Sequence, residues 1–307
     1  MTAPITIVIP TCGAGFHLMS VLQGLVDQTN RDFEVIVVDN NPCARLSSPT
    51  LQHEDLRAAV VHEPRNGLTH ARNAGVASAR GSCVAFLDDD AVPTSTWIES
   101  LVEGLRHYGS AAVGGSVELT LPHDAPPWLG AAERALLSEL LYSGRDIPVL
   151  GDDLYIVGAN MCITREAFTK VGLFSPRFGR TAKSLRSSEE LEFTRRLQAA
   201  GERVSFVASA RVHHHIDALR LTKRYFTSRA YWQGRSDALL EATWGRPASF
   251  GHRDWGANLK ALCGRLRDLA VEDTATARIR RRFALAREYG YCLQVALLRF
   301  RLPSFSP

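Results

Sequence analysis

The chain has 307 residues, 45% of them hydrophobic and 22% charged, which is enough apolar sequence for a large buried core. This composition excludes a globally disordered protein, and a net charge of only +4 argues against a nucleic-acid partner. The six cysteines contain no C-x-x-C pair, so neither a disulfide framework nor a thiolate metal site is favoured, and a reducing compartment is indicated.

Neither end of the chain predicts insertion into a membrane. The apolar run at residues 5–9 is too short for an export signal, and no stretch approaches the roughly 20 apolar residues of a membrane span. We therefore expect a cytoplasmic protein. Arginines cluster at residues 278–301. They form either a solvated helix face or a contact with a peripheral membrane surface or another anionic partner. A homodimer through the C-terminal helices is a further option.

The first third of the chain predicts alternating strands and helices from its apolar spacing. Strands are expected at 5–9, 33–38, 58–62 and 83–87, and helices at 16–29 and 68–79. Near-continuous apolar strands separated by helices are typical of a mostly parallel sheet that is covered on both faces. In such sheets ligands bind beyond the carboxyl ends of the strands.

The rest of the chain predicts a mixed pattern followed by helices. Thr96 and Glu99 have capping-box spacing at the start of a helix at 95–108. Further elements are expected as strands at 113–121, 155–164 and 204–207 and as helices at 133–142, 189–200, 219–241, 255–269 and 275–300. The predicted fold class is α/β with an α-helical C-terminal extension.

Three consecutive aspartates follow the strand at 83–87. Asp88, Asp89 and Asp90 repel one another, so they cost stability unless a cation compensates their charge. Carboxylates suit hard ions such as Mg²⁺ or Mn²⁺, which often bind one or two carboxylates together with substrate phosphates. The alternative is a solvated turn with helix-capping aspartates. The position at a strand end favours a ligand site.

Polar residues also follow the first two strands. Pro10 and Thr11 end the first strand, and Asp39, Asn40 and Asn41 end the second. Because the carboxyl ends of parallel strands meet at one edge of a sheet, we expect these residues to lie near the aspartates.

A basic segment with glycines precedes the aspartates. Glycines such as Gly67 and Gly75 let the backbone approach a ligand, and Arg65 and Arg72 can pair with phosphate oxygens. The alternative is a turn followed by an amphipathic helix with surface arginines.

Glutamates and histidines form two later groups. Glu189 and Glu190 open a helix, where the helix dipole alone explains acids, but either could be a general base for a hydroxyl group. His213, His214 and His215 are either metal ligands or ordinary core and surface histidines. Neighbouring residues on an extended chain face opposite sides, so not all three can reach one ion.

The order of these motifs resembles the inverting family-two glycosyltransferases, which adopt the A-type glycosyltransferase fold. The resemblance covers residues 5 to about 234 and is carried by segments 7–11, 37–41, 66–75, 86–90, 157–160 and 189–190, with Arg195, Gly201 and His214 following. It implies a Rossmann-like, mostly parallel mixed sheet. It also implies a nucleotide-sugar-binding half at 1–115, an acceptor-binding half at 116–216 and a helical extension at 217–307.

The resemblance also implies residue roles. The nucleotide contacts are Pro10, Thr11, Asp39, Asn41, Arg65, Arg72, Asp88 and Asp89. The donor-sugar or acceptor contacts are Gly158, Asn160 and Asp89. Asp90 and His214, with the donor diphosphate, would hold Mg²⁺ or Mn²⁺. Glu190 stands where the family has a base aspartate, and because it is longer than aspartate, Glu189 stays an alternative base.

The implied reaction is metal-dependent transfer of one sugar, with inversion, from a UDP- or TDP-type nucleotide-sugar. The acceptor would be a hydroxyl of a small-molecule natural product, a glycan or a glycolipid. Residues 12–14, Asn40 and Pro42 depart from the family pattern and leave the nucleotide base open. The processive Gln-x-x-Arg-Trp motif is not matched at residues 232–235.

Two other functions are considered. A nucleotidyltransferase would carry a basic, glycine-rich loop after the first strand, but residues 12–16 contain no lysine or arginine. A catalytically inactive nucleotide-sugar-binding subunit is disfavoured because Asp88, Asp90 and Glu190 are present.

Overall fold

The computed structural model describes residues 5–12, 17–42, 46, 50–152, 154–245, 255–268 and 274–300. Its strands are β1 (Ile5–Thr11), β2 (Phe33–Asp39), β3 (Thr50–His53), β4 (Leu56–His62), β5 (Cys83–Leu87), β6 (Ala91–Pro93), β7 (Ala112–Thr120), β8 (Asn160–Thr164) and β9 (Val204–His215). Its helices are α1 (Leu18–Val26), α2 (Leu68–Ser78), α3 (Trp97–Tyr108), α4 (Ala131–Leu136), α5 (Arg165–Val171), α6 (Glu189–Ala199), α7 (Lys223–Trp244), α8 (Trp255–Asp268) and α9 (Ala275–Phe300).

The described strands form one mixed sheet in the order β3-β4-β2-β1-β5-β8-β7-β9-β6. The run β4-β2-β1-β5 is parallel, as is the pair β7-β9, whereas β8 is antiparallel to both of its neighbours. All seven residues of β1 are buried. Because β1 has parallel neighbours on both sides, the residues that end β1, β2 and β5 lie along one edge.

Helix α2 packs closely against β1 in this sheet. A β-carbon at Gly75 would overlap the side chain of Val8 on β1. Gly75 therefore brings the helix to the sheet, and the prediction that it brings the backbone to a ligand is wrong. This close packing sets the position of Arg72, one turn earlier on α2.

The chain divides into two compact units. The first comprises Met1–Thr120, Ser138–Arg177 and Glu189–His215 and contains the sheet. The second comprises Leu121–Leu137, Phe178–Ser188 and Ile216–Pro307 and contains α4 and α7 to α9. The three-part division at residues 115 and 216 stays a prediction.

The second unit has its own helical core. Trp128, Phe226 and Phe283 form an aromatic cluster with ring centroids 5.1–5.6 Å apart. The buried Arg235 of α7 donates two hydrogen bonds to Gln294 of α9, at 2.9 and 3.0 Å. None of the helices in the described ranges is both long and apolar enough to cross a membrane.

Several predicted boundaries are wrong. The helix predicted at 133–142 ends at Leu136, because Ser138 adopts a positive φ of 74°. The strand predicted at 155–164 begins only at Asn160, whose N–H donates to the Val157 carbonyl in a turn. Thr96 makes no side-chain capping bond to α3.

The last strand is the largest of these differences. The short strand predicted at 204–207 extends to His215, so the three histidines lie within β9 rather than after it. Pairing with β7 continues through a register shift between Gly115 and Ser116, and β6 pairs with the far end of β9. The elements β3, β6 and α5 were not predicted.

Candidate active site

The ends of β1 and β5 meet at the candidate site. Thr11 is buried, and its hydroxyl donates a 2.5 Å hydrogen bond to Oδ2 of Asp89. Burial raises the pKa of Asp89 to about 6, and the charges of Asp90 and Asp88 act in the same direction. Pro10, also buried, precedes Thr11 at this edge.

Asp39 organises the turn after β2. Its carboxylate is buried and accepts hydrogen bonds from the N–H groups of Asn41, at 3.0 Å, and Leu46, at 2.7 Å. The side chain of Asn41 donates to the carbonyl of Cys12, at 2.8 Å. The predicted nucleotide residues Thr11, Asp39 and Asn41 are thus brought together at the ends of two paired strands.

Asn40 has a role that was not predicted from the sequence. Its buried side-chain amide donates to the carbonyls of Glu63 and Arg65, and its Oδ1 accepts from the N–H of Gly67, all at 2.8 Å. Asn40 therefore holds the segment that joins β4 to α2. A polar residue directly after a buried strand was the available signal.

Arg65 lies on this segment with its side chain 68% exposed. It donates two hydrogen bonds to the carboxylate of Glu63, at 2.9 and 2.7 Å. Hydrogen bonding by Arg65 lowers the pKa of Glu63 to about 2. Because its guanidinium is exposed, Arg65 is accessible for the predicted contact with a nucleotide.

Arg72 lies in a very different environment from Arg65. It is 1% exposed, and its guanidinium donates to Oε1 of Glu189 at 2.6 Å and to Oδ1 of Asp88 at 3.2 Å. Gly158 packs directly against this guanidinium. Because two carboxylates and a glycine surround it, the geometry does not support the predicted phosphate contact of Arg72.

The three aspartates have three different partners. Asp88 contacts Arg72, Asp89 contacts Thr11, and Oδ1 of Asp90 lies 3.1 Å from Nε2 of His214. The three carboxylates are therefore directed to three different side chains.

The histidines of β9 alternate in direction, as expected. His214 is buried and faces Asp90, whereas Nδ1 of His213 lies 3.5 Å from Glu118. His215 stacks on His17, with ring centroids 5.3 Å apart. The ring of His214 therefore lies within ion-pair distance of Asp90, while the charge of Asp90 also acts on His215.

Asp90 and His214 fit a divalent ion that also takes phosphate and water ligands. A carboxylate and an imidazole suit Mn²⁺, and carboxylate with phosphate oxygens suits Mg²⁺. No group of three or more histidine, cysteine, aspartate or glutamate ligands was found among the described residues. Two side chains of this type would leave the remaining positions of such an ion to other ligands.

Glu189 and Glu190 begin α6 with unequal surroundings. Glu189 is buried and its Oε1 is paired with Arg72, whereas Oε2 of each glutamate is buried without a hydrogen-bond partner in the described structure. Burial, followed by the charge of Glu189, raises the pKa of Glu190 to about 8. A carboxyl group of this kind can exchange a proton near neutral pH.

Asn160 does not fit its predicted contact with a sugar or acceptor. It is 0% exposed, and its Oδ1 accepts from the indole N–H of Trp97 at 2.8 Å. Its amide group donates to the carbonyls of Ser116 and Ala210 at 2.9 and 2.8 Å. Asn160 is therefore a structural link between β7, β8, β9 and α3.

Three curated relatives of this chain are two glycosyltransferases and a protein of succinoglycan biosynthesis. A glucosyl-dolichyl phosphate glucuronosyltransferase of Haloferax volcanii is 28% identical over 279 residues, covering 86% of this chain and 85% of that protein. The succinoglycan biosynthesis protein ExoM of Rhizobium meliloti is 27% identical, and the aligned region covers 68% of this chain and 65% of that protein. A pre-mycofactocin glycosyltransferase of Mycobacterium tuberculosis is 29% identical, covering 70% of this chain but only 44% of that protein.

A solved structure shows the same fold. S. aureus TarS 1–349 in complex with UDP-GlcNAc superposes with a TM-score of 0.55 at 15% sequence identity, covering 97% of this chain and 92% of that one. The predicted fold, a mixed α/β sheet of the A-type glycosyltransferases with a helical C-terminal region, is confirmed. Residues 6–172, more than half of the 307, match the family described as Glycosyl transferase family 2. The chain belongs to glycosyl transferase family 2 and is a glycosyltransferase.

Proposed function

We propose that the protein transfers a single sugar from a UDP- or TDP-type nucleotide-sugar to an acceptor hydroxyl, with inversion and with the help of a divalent metal. One observation carries the proposal. The first unit holds two different acidic centres, the Asp90–His214 pair and the Glu189–Glu190 pair, and Arg72 connects Glu189 of the second to Asp88. One centre fits a metal with a diphosphate, and the other fits a base.

We assign the nucleoside to the strand ends that carry Thr11, Asp39 and Asn41. Asp88 and Asp89 adjoin them, and Arg65 offers an exposed guanidinium nearby on the segment held by Asn40. The bound state of S. aureus TarS with UDP-GlcNAc supports a donor of this class. Residues 1–115 would serve the donor and residues 116–216 the acceptor.

Asp90 and His214 would hold Mg²⁺ or Mn²⁺ beside the donor diphosphate. When bound, such an ion supplies positive charge that stabilises a departing diphosphate. The chain itself supplies the proton acceptor at the start of α6, which we assign to Glu190 with Glu189 as the alternative. The acceptor oxygen forms a bond to the anomeric carbon while the bond from that carbon to the diphosphate oxygen breaks. The hydroxyl proton passes to the glutamate, and attack opposite the leaving group inverts the configuration.

The acceptor is proposed only by class. The name of the Haloferax volcanii relative refers to glucosyl-dolichyl phosphate, and that of the Rhizobium meliloti relative to succinoglycan biosynthesis. These names support a glycolipid or glycan acceptor, and a small-molecule natural product is the remaining class.

The first test measures release of nucleoside diphosphate from a panel of UDP-, TDP- and GDP-sugars, with Mg²⁺, Mn²⁺ or a chelator. We expect release with at least one donor, and a loss of about 10³-fold in Asp90→Ala, because a bound metal contributes several kcal/mol to the transition state. Asp27→Ala is the matched control, since Asp27 is exposed at the end of α1.

Two outcomes would contradict the proposal. One is calorimetry in which neither metal changes the affinity for UDP or TDP. The other is an absence of release with every donor, which would instead favour a binding subunit without catalysis.

A further inference from the structure

Arg72 joins two acids that belong to different elements. Nη1 lies 2.6 Å from Oε1 of Glu189 at the start of α6, and Nη2 lies 3.2 Å from Oδ1 of Asp88 after β5. The side chain of Arg72 is 2% exposed and that of Glu189 is 4% exposed, so water screens this ion pair little. Removing Arg72 would leave the buried carboxylate of Glu189 without this compensation, whereas removing Glu189 would leave Arg72 paired with Asp88 alone.

The packing around Arg72 leaves its guanidinium little freedom. A β-carbon at Gly158 would overlap Nη2, Cζ and Nη1 of Arg72. The planar fork of arginine can serve two carboxylates at once, which the single ammonium of lysine cannot reproduce. The guanidinium is thus fixed between the strand end that carries Asp88 and the helix that carries both glutamates.

This arrangement makes the two neighbouring glutamates unequal. Arg72 compensates the charge of Glu189 and holds its carboxylate in one position. Glu190 is hydrogen-bonded to Glu189 instead, while Oε2 of each glutamate is buried without a further partner in the described part of the chain. Two adjacent carboxyl groups in different surroundings take different acid–base roles.

We infer that Arg72 is a positioning residue, which together with Glu189 orients the start of α6 so that Glu190 alone takes the proton of the acceptor. The inference rests on the proposed function, in which a glutamate of this helix is the base. It excludes Glu189 as the base, and it gives Arg72 a role other than binding phosphate.

The charges around Glu190 predict opposite effects for two substitutions. The strongest acting groups are Glu189 on the same helix, which raises the pKa of Glu190, and Arg72 on α2, which lowers it; burial contributes most to the rise. Asp88, after β5, acts through its contact with Arg72. Removing the charge of Glu189 should therefore lower the pKa of Glu190, and removing that of Arg72 should raise it.

The test is the pH dependence of kcat in Glu189→Gln and Arg72→Gln, with saturating donor and metal. In the wild type kcat should rise as Glu190 loses its proton near pH 8. We expect this rising limb of the pH profile of kcat to move down by about one pH unit in Glu189→Gln and up by about one in Arg72→Gln. Glu190→Gln should lose about 10²–10⁴-fold in kcat at every pH, because it lacks the base.

Three further measurements separate positioning from a merely structural role. Arg72→Lys keeps the charge but loses the fork, so the limb should stay in place while kcat falls by up to about 10²-fold. Arg80→Gln is the matched control. It also removes an arginine–glutamate ion pair, that of Arg80 with Glu34, but the side chain of Arg80 is 83% exposed. Carbon-13 NMR of labelled glutamate follows the titration of Glu190 directly, even in a variant too unstable for kinetics.

Several results would overturn the inference. One is a limb that stays in place, or moves in the same direction, in both charge-removing variants. Another is an active Glu190→Gln beside an inactive Glu189→Gln, which would make Glu189 the base. If the wild type transfers no sugar from any donor, the proposed function fails, whereas the NMR titration still decides whether Arg72 and Glu189 act on Glu190 in opposite directions.

Discussion

Residue 158 is a glycine, and the absence of a β-carbon there makes room for the guanidinium of Arg72. Gly158 precedes β8 in the turn at residues 157–160, and it packs against a guanidinium that two carboxylates hold from the other directions. A side chain that is held in this way cannot move aside without giving up an ion pair. Packing at one residue therefore affects both acids that Arg72 contacts.

We expect Gly158→Ala to lower the free energy of unfolding by about 1–3 kcal/mol, the usual cost of overpacking a filled site. Urea denaturation measures this change. Gly151→Ala is the control, because a β-carbon there meets no atom within 4 Å and Gly151 is exposed. Equal stability of the two variants would show that the guanidinium yields easily, against the fixed position described for it.

At the scale of elements, the turns after the strands build the site more than the strands themselves do. Asn40 connects the end of β2 to the segment between β4 and α2 by three hydrogen bonds. That segment carries Arg65 at its surface and leads into the helix that carries Arg72. The two arginines therefore share one anchor, although one is exposed and the other is buried.

Asn40→Ala should release this segment. Because it leaves buried backbone groups without partners, we expect a loss of about 2 kcal/mol in the free energy of unfolding. Hydrogen exchange of the N–H of Gly67 should become faster, and the affinity for the nucleotide should fall. Asn30→Ala is the control, since Asn30 accepts one hydrogen bond in an exposed turn and should cost less than about 0.5 kcal/mol. Unchanged exchange at Gly67 would argue against the anchor.

At the scale of the whole molecule, Glu190 and Glu63 give stability opposite dependences on pH. The folded-state pKa of Glu190 is raised to about 8, so the native state retains a proton that the unfolded chain has lost. Its contribution therefore declines as the pH rises from about 4.5 to 8. The folded-state pKa of Glu63 is lowered to about 2, so its contribution is present above about pH 4.5 and is lost as the pH falls toward 2.

Urea unfolding between pH 3 and pH 8.5 tests both signs. Relative to the wild type, Glu190→Gln should become progressively more stable from about pH 5 to pH 8. Glu63→Gln should lose about 1 kcal/mol at pH 7, a small value because Arg65 is exposed, and should lose less on acidification. Parallel profiles for all three proteins would contradict the assigned surroundings of both glutamates.

The sequence by itself determined the parts of this protein that depend on short-range patterns. The apolar runs predicted β1, β2 and β5, and helical spacing predicted α9 with its bounds. The expected parallel sheet then placed the residues after these strands at one edge, and the order of the motifs indicated the family. These inferences succeed because strand and helix periodicity is local and a parallel sheet aligns its carboxyl ends.

Only the tertiary structure decided which polar side chains turn inward and which partners they find. Arg65 and Arg72 look alike in the sequence, yet one is exposed and the other is buried between Asp88 and Glu189. The partner Glu189 lies 117 residues away, and Asn160 finds its partners up to 63 residues away. A polar group can be buried only where the fold supplies such partners, because desolvation without them costs too much free energy, and local sequence does not contain that information.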